Sequence, residues 1–227
     1  MKITLISDTH TKHSLITKDL PGGDILIHSG DFMNSGYIEK DIIEFCKWFD
    51  EIEGYNHKIF IAGNHDRLFE NKPEQVKEIL SYYPEIYYLQ DSFIEVNNVK
   101  IYGSPWQPEF YNWAFNLPKN GPELINKWDL IPDDTDILIT HGPAYGTLDT
   151  VAGRMYDNLG CELLEKRIKK VNPMIHTCGH IHSGYGYEFK DNTHYFNASI
   201  LDESYSYTQK PITFYWDKET NNIQFEN

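Results

Sequence analysis

Five short polar clusters in this sequence combine carboxylate, imidazole and amide side chains at spacings that suit metal chemistry. Asp8 and His10 are two residues apart, as are His180 and His182, so each pair can present alternate side chains to one point. The clusters contain no thiolate, and their donor set fits two divalent ions of the Mn, Fe or Zn kind. The clusters are Asp8-Thr9-His10, Ser29-Gly30-Asp31, Gly63-Asn64-His65-Asp66, His141-Gly142 and Gly179-His180-Ile181-His182.

Each cluster directly follows a short apolar run that predicts a strand. The runs are nearly continuous in Ile, Leu and Val, which is typical of strands buried on both faces. In open α/β sheets, ligands bind in the crevice outside the carboxyl ends of the strands. We therefore expect the five clusters to converge on one site. The six predicted strands, of which all but the fourth precede a cluster, are residues 2–7, 24–28, 58–62, 99–102, 136–140 and 174–178.

Helical patterns separate several of these strands, and the chain changes character near its end. Residues 37–53, 73–81 and 159–171 have the three- and four-residue apolar spacing of amphipathic helices. Alternating strands and helices followed by a β-rich region predict one layered α/β domain over residues 1–227. The β-rich region has turn residues between its strands and predicts an antiparallel meander. Its strands are residues 184–189, 194–197 and 211–216.

The composition argues for a folded protein that does not bind long nucleic acids. The 227 residues include 20 Lys and Arg against 34 Asp and Glu, giving a formal net charge of −14. With 40% apolar residues the chain can bury a substantial core, which excludes disorder. Tight binding to nucleic acid depends on clustered Lys and Arg, and no basic cluster is visible. A small anionic substrate at a local positive centre stays compatible with this charge.

The cysteines and the N-terminus predict a cytoplasmic protein that does not enter a membrane. Cys46, Cys161 and Cys178 are an odd number at wide spacing, which indicates reduced thiols and not a disulfide framework. The apolar stretch before Asp8 is too short for a signal peptide or a membrane span. The sequence leaves open whether the protein is a homo-oligomer.

The ordered set of clusters resembles the calcineurin-like metallophosphoesterase superfamily, over roughly residues 3–216. Longer stretches look like the small branch called metallophosphoesterase-domain-containing proteins, which are phosphodiesterase-like members, some acting on cyclic nucleotides. The stretches that carry this second resemblance are residues 103–108 (GSPWQP), 111–117, 140–143 (THGP), 179–182 (GHIH) and 197–199.

The resemblance implies a four-layer αββα sandwich with a site for two divalent metals. Carried onto this sequence, it assigns Asp31 as the bridging ligand and His65 as the acid beside the leaving group. One metal would be held by Asp8, His10 and His182, and the other by Asn64, His141 and His180. Some relatives have lost one histidine of the last cluster, whereas this chain keeps both.

Four further residues are weaker candidates for contact with a substrate. Trp106 and Tyr111, in an aromatic segment, could stack on a nucleobase, with packing over the sheet edge as the alternative. Arg154 could reach a phosphate or be a solvated loop residue. Asp66 is grouped with them and could orient a neighbouring group or cap its loop. His28 could support the site from behind or be a core histidine.

These observations favour a metal-dependent phosphodiesterase acting on a small substrate, such as a 2′,3′- or 3′,5′-cyclic nucleotide. A phosphomonoesterase or protein phosphatase is the nearest alternative. Such relatives typically carry an Arg soon after the bridging Asp, whereas here Asp31 is followed by Phe-Met-Asn-Ser. Arg67, which follows Asp66, keeps that alternative open. A nuclease is disfavoured by the charge. A non-catalytic, metal-binding scaffold is the remaining alternative, although this chain retains every ligand.

Overall fold

A computed structural model describes residues 1–151, 153 and 158–226, which form fourteen strands and five α-helices. The strands are β1 (Lys2–Ile6), β2 (Gly23–His28), β3 (Tyr55–Phe60), β4 (Ile86–Tyr88), β5 (Ser92–Val96), β6 (Val99–Ser104), β7 (Gln107–Pro108), β8 (Asn116–Leu117), β9 (Ile137–Thr140), β10 (Ile175–Cys178), β11 (Gly186–Lys190), β12 (Thr193–Asn197), β13 (Ile212–Asp217) and β14 (Asn222–Phe225). The helices are α1 (Glu39–Glu51), α2 (Arg67–Asn71), α3 (Pro73–Leu80), α4 (Pro122–Asp129) and α5 (Glu162–Val171), with 3-10 turns at His13–Asp19 and His182–Gly184.

Twelve of the strands form two six-stranded sheets. The first sheet has the order β14-β13-β1-β2-β3-β4, and the second has the order β11-β12-β10-β9-β6-β5. Strands β1 to β4 run parallel to one another, as do β12, β10, β9 and β6. Parallel strands place their carboxyl ends at one edge of a sheet, so each sheet brings several loops to the same edge.

The alternation of apolar side chains produces three layers of core. On β2, Ile25 and Ile27 pack between the two sheets, whereas Leu26 faces the helices that cover the first sheet. On β9, Ile137 and Ile139 face the first sheet, and Leu138 packs under α4 and α5. A strand that buries both faces needs cover on both sides. The predicted α/β fold with helices outside two stacked sheets is thereby confirmed, while the extent of the domain, residues 1–227, stays a prediction.

The predicted C-terminal meander is wrong in its pairing. Strands β11 and β12 form an antiparallel hairpin, but β12 then runs parallel to β10. Strand β13 leaves this sheet and joins the first one, antiparallel to β1, with Leu5 opposite Ile212. The side chains of Ile212, Phe214 and Trp216 fill the space between the sheets. The apolar face of β13 would be buried between the sheets whichever sheet the strand joined. The alternating pattern alone therefore does not predict which sheet β13 joins.

The two sheets are joined directly at the edge where the polar clusters lie. Ser7, just past β1, forms a bridge with Ser199, just past β12, and the Ile200 N–H donates to the Ser7 carbonyl oxygen at 3.1 Å. The hydroxyls of Ser29 and Thr177 are 3.2 Å apart across the same gap. These contacts hold the loops of both sheets close together at this edge. In the described part of the chain, no helix combines the length and apolar character that crossing a membrane requires.

Candidate metal centre

The first group of predicted ligands lies where the loop after β1 meets the loop after β10. Asp8 Oδ1 is 3.5 Å from His182 Nε2 and 4.0 Å from His10 Nε2. The other carboxylate oxygen of Asp8 accepts the Ser199 hydroxyl at 2.9 Å and the His180 backbone N–H at 3.0 Å. These bonds fix the carboxylate so that Oδ1 faces the two imidazoles.

The second group combines residues from the loops after β2, β3, β9 and β10. His141 Nε2 is 3.0 Å from Asn64 Oδ1 and 3.3 Å from Asp31 Oδ2. The nearest ligand atoms of Asp31, His141 and His180 all lie within 4.8 Å of one another. Asp31 Oδ2 is also 3.8 Å from His10 Nε2, so this carboxylate lies between the two groups.

Three histidines are oriented by backbone carbonyl groups behind them. The Nδ1–H of His10 donates to Met33 at 3.1 Å, that of His141 to Ser29 at 2.9 Å, and that of His182 to Asp202 at 2.9 Å. A carbonyl oxygen only accepts, so Nδ1 carries the proton and Nε2 points into the site. Ligating histidines are commonly fixed in this way.

The backbone is strained at the same place. Asp8, His10, Asp31 and His180 have φ values of 55°, 40°, 58° and 68°, in the left-handed region that non-glycine residues rarely adopt. Such conformations persist only where surrounding structure enforces them, and they concentrate at functional sites. All four residues lie in loops that directly follow β1, β2 or β10 and carry candidate ligands.

Two glycines let these loops approach one another. A Cβ on Gly179 would overlap Asp8 Oδ2 and Ser7 Oγ, and a Cβ on Gly63 would overlap Asp31 Oδ1. Any side chain at either position would therefore displace a carboxylate of the site.

Asp66 lies beneath the ligands and does not line the pocket, contrary to its grouping with the substrate-binding candidates. It is fully buried, and its carboxylate accepts the backbone N–H groups of Gly63 at 2.7 Å, Asp31 at 2.9 Å and Met33 at 2.9 Å. Because all three donors belong to ligand-bearing loops, Asp66 positions the site from below.

Burial and neighbouring charges shift the pKa values of the ionisable ligands in opposite directions. Burial alone would lower the pKa of His141, but the neighbouring Asp31 carboxylate raises it to about 9. His182 likewise has its pKa raised to about 9 by Asp8, against the effect of burial. The same pairing holds the pKa of the Asp8 carboxyl well below its usual range. In the metal-free site, imidazolium ions thus balance carboxylates.

The donor set fits divalent cations. His10 Nε2 is buried and has no hydrogen-bond partner among the described residues, while burial lowers its pKa to about 4 and keeps it neutral near pH 7. A buried lone pair with no donor facing it is costly unless a cation or water occupies the space. Asp31, His10 and the other clustered ligands supply oxygen and imidazole nitrogen, which suit first-row metals.

His65 lies beside both groups. Its backbone N–H donates to Asp31 Oδ1 at 2.7 Å, and its Nδ1–H donates to the Asn34 carbonyl oxygen. The ring meets His10 edge-on, with centroids 4.7 Å apart. The side chain is half-buried and lines a pocket of about 580 Å³.

Candidate ligands line that pocket together with apolar and charged side chains. Tyr111 lines it and is 79% exposed, as the prediction of a substrate contact requires. Lys119 and Tyr205 also line it, but neither belongs to a motif that the sequence could have revealed. The ring of Tyr205 lies 4.8 Å from that of His10 and 5.3 Å from that of His182, so it covers the first ligand group.

Trp106 does not line the pocket, contrary to the prediction. Its Nε1–H donates to Asp91 at 2.8 Å, its ring meets Phe115 edge-on at 5.4 Å, and the Lys127 ammonium lies 4.2 Å from the ring centroid. The Trp106 side chain is therefore a packing residue, which is the alternative that the sequence analysis gives to stacking on a nucleobase. Arg154, the candidate phosphate contact, lies outside the described residues.

His28 supports two of the ligand loops. Its Nδ1 accepts the Gly30 N–H at 3.2 Å, so Nε2 carries the proton and donates to Thr9 Oγ1 at 3.0 Å. Burial among aromatic rings lowers the pKa of His28 to about 3 and keeps the imidazole neutral. His28 is therefore both a core histidine and a bridge between the loops of Asp8 and Asp31.

Comparison with known proteins agrees with this geometry. A family model described as calcineurin-like phosphoesterase matches residues 1–184. Metallophosphoesterase domain-containing protein 1 of Homo sapiens is 40% identical over 232 residues, covering 93% of this chain and 69% of that protein. The crystal structure of a Thermus thermophilus protein is similar with a TM-score of 0.69 at 16% identity, covering 100% and 98% of the two chains. An archaeal phosphodiesterase has a TM-score of 0.52 at 19% identity, covering 100% and 99%. The chain belongs to the calcineurin-like phosphoesterase family.

Proposed function

We propose that this protein is a metal-dependent phosphodiesterase that hydrolyses a small substrate, for example a 2′,3′- or 3′,5′-cyclic nucleotide. The observation that supports this most is the position of Asp31, whose carboxylate lies between two groups of ligands at the floor of the pocket. The similarity of the fold to that of an archaeal phosphodiesterase agrees with this class of reaction.

Two divalent cations, of Mn, Fe or Zn, are the proposed cofactors. Asp8, His10 and His182 would hold one ion, and Asn64, His141 and His180 the other, with Asp31 shared between them. Bound divalent ions make hydroxide available near neutral pH and stabilise the charge on the attacking and leaving oxygens.

The remaining chemistry falls to the protein's own side chains. His65 would donate a proton to the departing alkoxide from Nε2, because its Nδ1–H is occupied by the Asn34 carbonyl oxygen. Proton donation of this kind typically contributes 10²- to 10⁴-fold in rate. Tyr111 and Phe110, both at the rim, offer aromatic faces on which a base could stack.

The environment of Arg67 favours a diester over a monoester. A phosphomonoesterase needs a cation to bind the second negative charge of its substrate. The guanidinium of Arg67 lies 4.6 Å from the Trp113 ring and 5.1 Å from the Tyr37 ring, and it donates to the Asn112 carbonyl oxygen. It is thus engaged outside the pocket. Among the described residues that line the pocket, Lys119 is an exposed cation that a monoester could still use.

The net charge and the cysteines bear on the size of the substrate and on the cellular compartment of the protein. A formal net charge of −14 disfavours long nucleic acids as substrates, and so a nuclease. Cys46, Cys161 and Cys178 are free and buried, which suits a reducing cytoplasm.

One experiment separates the candidate functions. The protein is stripped with a chelator and reloaded separately with Mn²⁺, Fe²⁺, Zn²⁺ or Mg²⁺. Hydrolysis of bis(4-nitrophenyl) phosphate, 4-nitrophenyl phosphate and the two kinds of cyclic nucleotide is then compared. We expect diesters to be preferred, and Asp31→Asn to lose turnover while Asp24→Asn, a control on the opposite edge, retains it. Preference for the monoester with every metal would indicate a phosphomonoesterase. Absence of turnover with two metals bound would indicate a scaffold.

A further inference from the structure

The aromatic segment that contains Trp106 and Tyr111 also places Trp113 against the proposed acid, His65. The ring of Trp113 stacks on the His65 imidazole with centroids 3.9 Å apart and planes inclined by 25°. Trp113 is half-buried and does not line the pocket, whereas His65 does. Trp113 therefore contacts the imidazole from outside the pocket in which a substrate would bind.

Trp113 is itself fixed by the loop that carries His65. The Ala114 N–H donates to the Asn64 carbonyl oxygen at 3.1 Å, immediately before the acid in the chain. The Arg67 guanidinium, two residues after the acid, lies over the Trp113 ring and bonds to the Asn112 carbonyl oxygen. The segment around Trp113 is thus held by the Asn64 backbone on one side of His65 and by the Arg67 side chain on the other.

These contacts restrain the imidazole in two independent directions. The bond from Nδ1–H to the Asn34 carbonyl oxygen acts in the plane of the ring. Stacking on Trp113 acts on its face and opposes rotation about the Cβ–Cγ bond. Neither contact alone fixes both the position and the tilt of Nε2, the atom from which a proton would leave.

We infer that Trp113 is a positioning residue that holds the His65 imidazole at the angle needed to protonate the leaving group. This inference rests on the proposed role of His65 as the acid. Proton transfer needs a donor aligned within hydrogen-bond reach of the leaving oxygen. A small misplacement of a reacting group can cost about 10²-fold in rate. Loss of the stack should therefore reduce catalysis only where the leaving group needs a proton.

The test compares two diesters of similar size in the manganese-loaded protein. Bis(4-nitrophenyl) phosphate releases a weakly basic phenolate that departs without a proton, whereas diphenyl phosphate releases a more basic one. We expect Trp113→Leu to lower kcat for diphenyl phosphate about tenfold or more and to change kcat for the nitrophenyl diester less than about twofold. Trp113→Phe, which keeps a stacking face, should restore most of the loss.

A matched control is available because another tryptophan packs on a histidine away from the site. The ring of Trp48, a residue of α1, lies 4.8 Å from that of His13. Trp48→Leu should leave the ratio of the two rates unchanged. Thermal unfolding and metal content, measured on every variant, show whether the fold and the ligand groups are intact.

A double-mutant comparison decides the outcome. His65→Ala should change the ratio more than Trp113→Leu, and the double variant should resemble His65→Ala alone, because both act through one imidazole. Equal loss on both diesters in Trp113→Leu, or additive losses in the double variant, would overturn the inference. If His65→Ala leaves the ratio unchanged, the proposed acid itself is wrong. If only the Trp113 variant leaves it unchanged, the positioning role alone is wrong.

Discussion

The carboxylate of Asp66 accepts the backbone N–H of Asp31 at 2.9 Å and thereby supports a residue held at a φ of 58°. The same carboxylate accepts the N–H groups of Gly63 and Met33. Asp66 therefore fixes the ends of β2 and β3 relative to one another. It acts on the candidate bridging ligand without entering the pocket.

Replacing Asp66 should weaken both the fold and the metal site. Asp66→Ala leaves three buried N–H groups without a partner, which should cost about 3 kcal/mol or more of the free energy of unfolding. Metal affinity should fall about 10- to 100-fold, as for other residues that support a ligand. Urea unfolding of the metal-free protein and calorimetric titration with Mn²⁺ measure the two effects. Asp24→Asn, which alters a partly exposed carboxylate that also accepts a backbone N–H, is the control. Unchanged stability of Asp66→Ala would contradict this role.

A methyl group at Gly179 should disrupt the first ligand group. The new Cβ would overlap Asp8 Oδ2 and Ser7 Oγ, so the carboxylate would have to move. We expect Gly179→Ala to lower metal affinity about tenfold or more and to reduce stability by about 1–3 kcal/mol. At Gly142 the nearest atom to an added Cβ is 3.8 Å away, so Gly142→Ala should bind metal nearly as well as the unaltered protein. Equal metal affinities in the two variants would argue against this account.

The order of strands and polar clusters could be predicted because each cluster ends a buried run. The predicted helices over 37–53, 73–81 and 159–171 correspond to α1, α3 and α5, with ends shifted by up to three residues. The sequence patterns do not predict strands β4, β5, β7, β8 and β14 or helices α2 and α4. Strand β5 alternates exposed and half-buried residues at a sheet edge and so lacks a continuous apolar run.

Contacts between distant segments could not be predicted. Trp106 and Trp113 have the same side chain in one aromatic segment, yet one packs beside Asp91 and the other stacks on His65. Their roles depend on the backbone between them, where Tyr111 adopts a left-handed φ value. Tyr205 reaches the ligands from a loop with no recognisable spacing. Such contacts follow from the tertiary path of the chain and not from local periodicity.

Metal binding should release protons and tighten as the pH rises. His141 and His182 have pKa values of about 9 in the metal-free site, so both are protonated at pH 7 and must lose a proton to bind a cation. Between pH 6.5 and 8, affinity should rise roughly tenfold per pH unit for each displaced proton. Calorimetric titration with Mn²⁺ in buffers of different ionisation enthalpy counts the protons released. His57→Gln, a change on β3 away from the ligands, should leave the count unaltered. A count of zero at pH 7 would exclude these two residues as ligands.

Two aromatic substitutions should separate a substrate contact from a packing residue. Tyr111 is 79% exposed at the pocket rim, so Tyr111→Ala should leave stability unchanged within about 0.5 kcal/mol. If the substrate carries a base that stacks there, KM for a cyclic nucleotide should rise roughly 5- to 100-fold, while KM for bis(4-nitrophenyl) phosphate changes less.

Trp106→Ala should instead lower stability and leave KM nearly unchanged, because the Trp106 ring packs on Phe115 and its Nε1–H donates to Asp91. It should cost about 2–4 kcal/mol of stability with little effect on either KM. Steady-state kinetics and thermal unfolding of both variants provide the comparison, and a raised KM in Trp106→Ala with unchanged stability would reverse the two assignments.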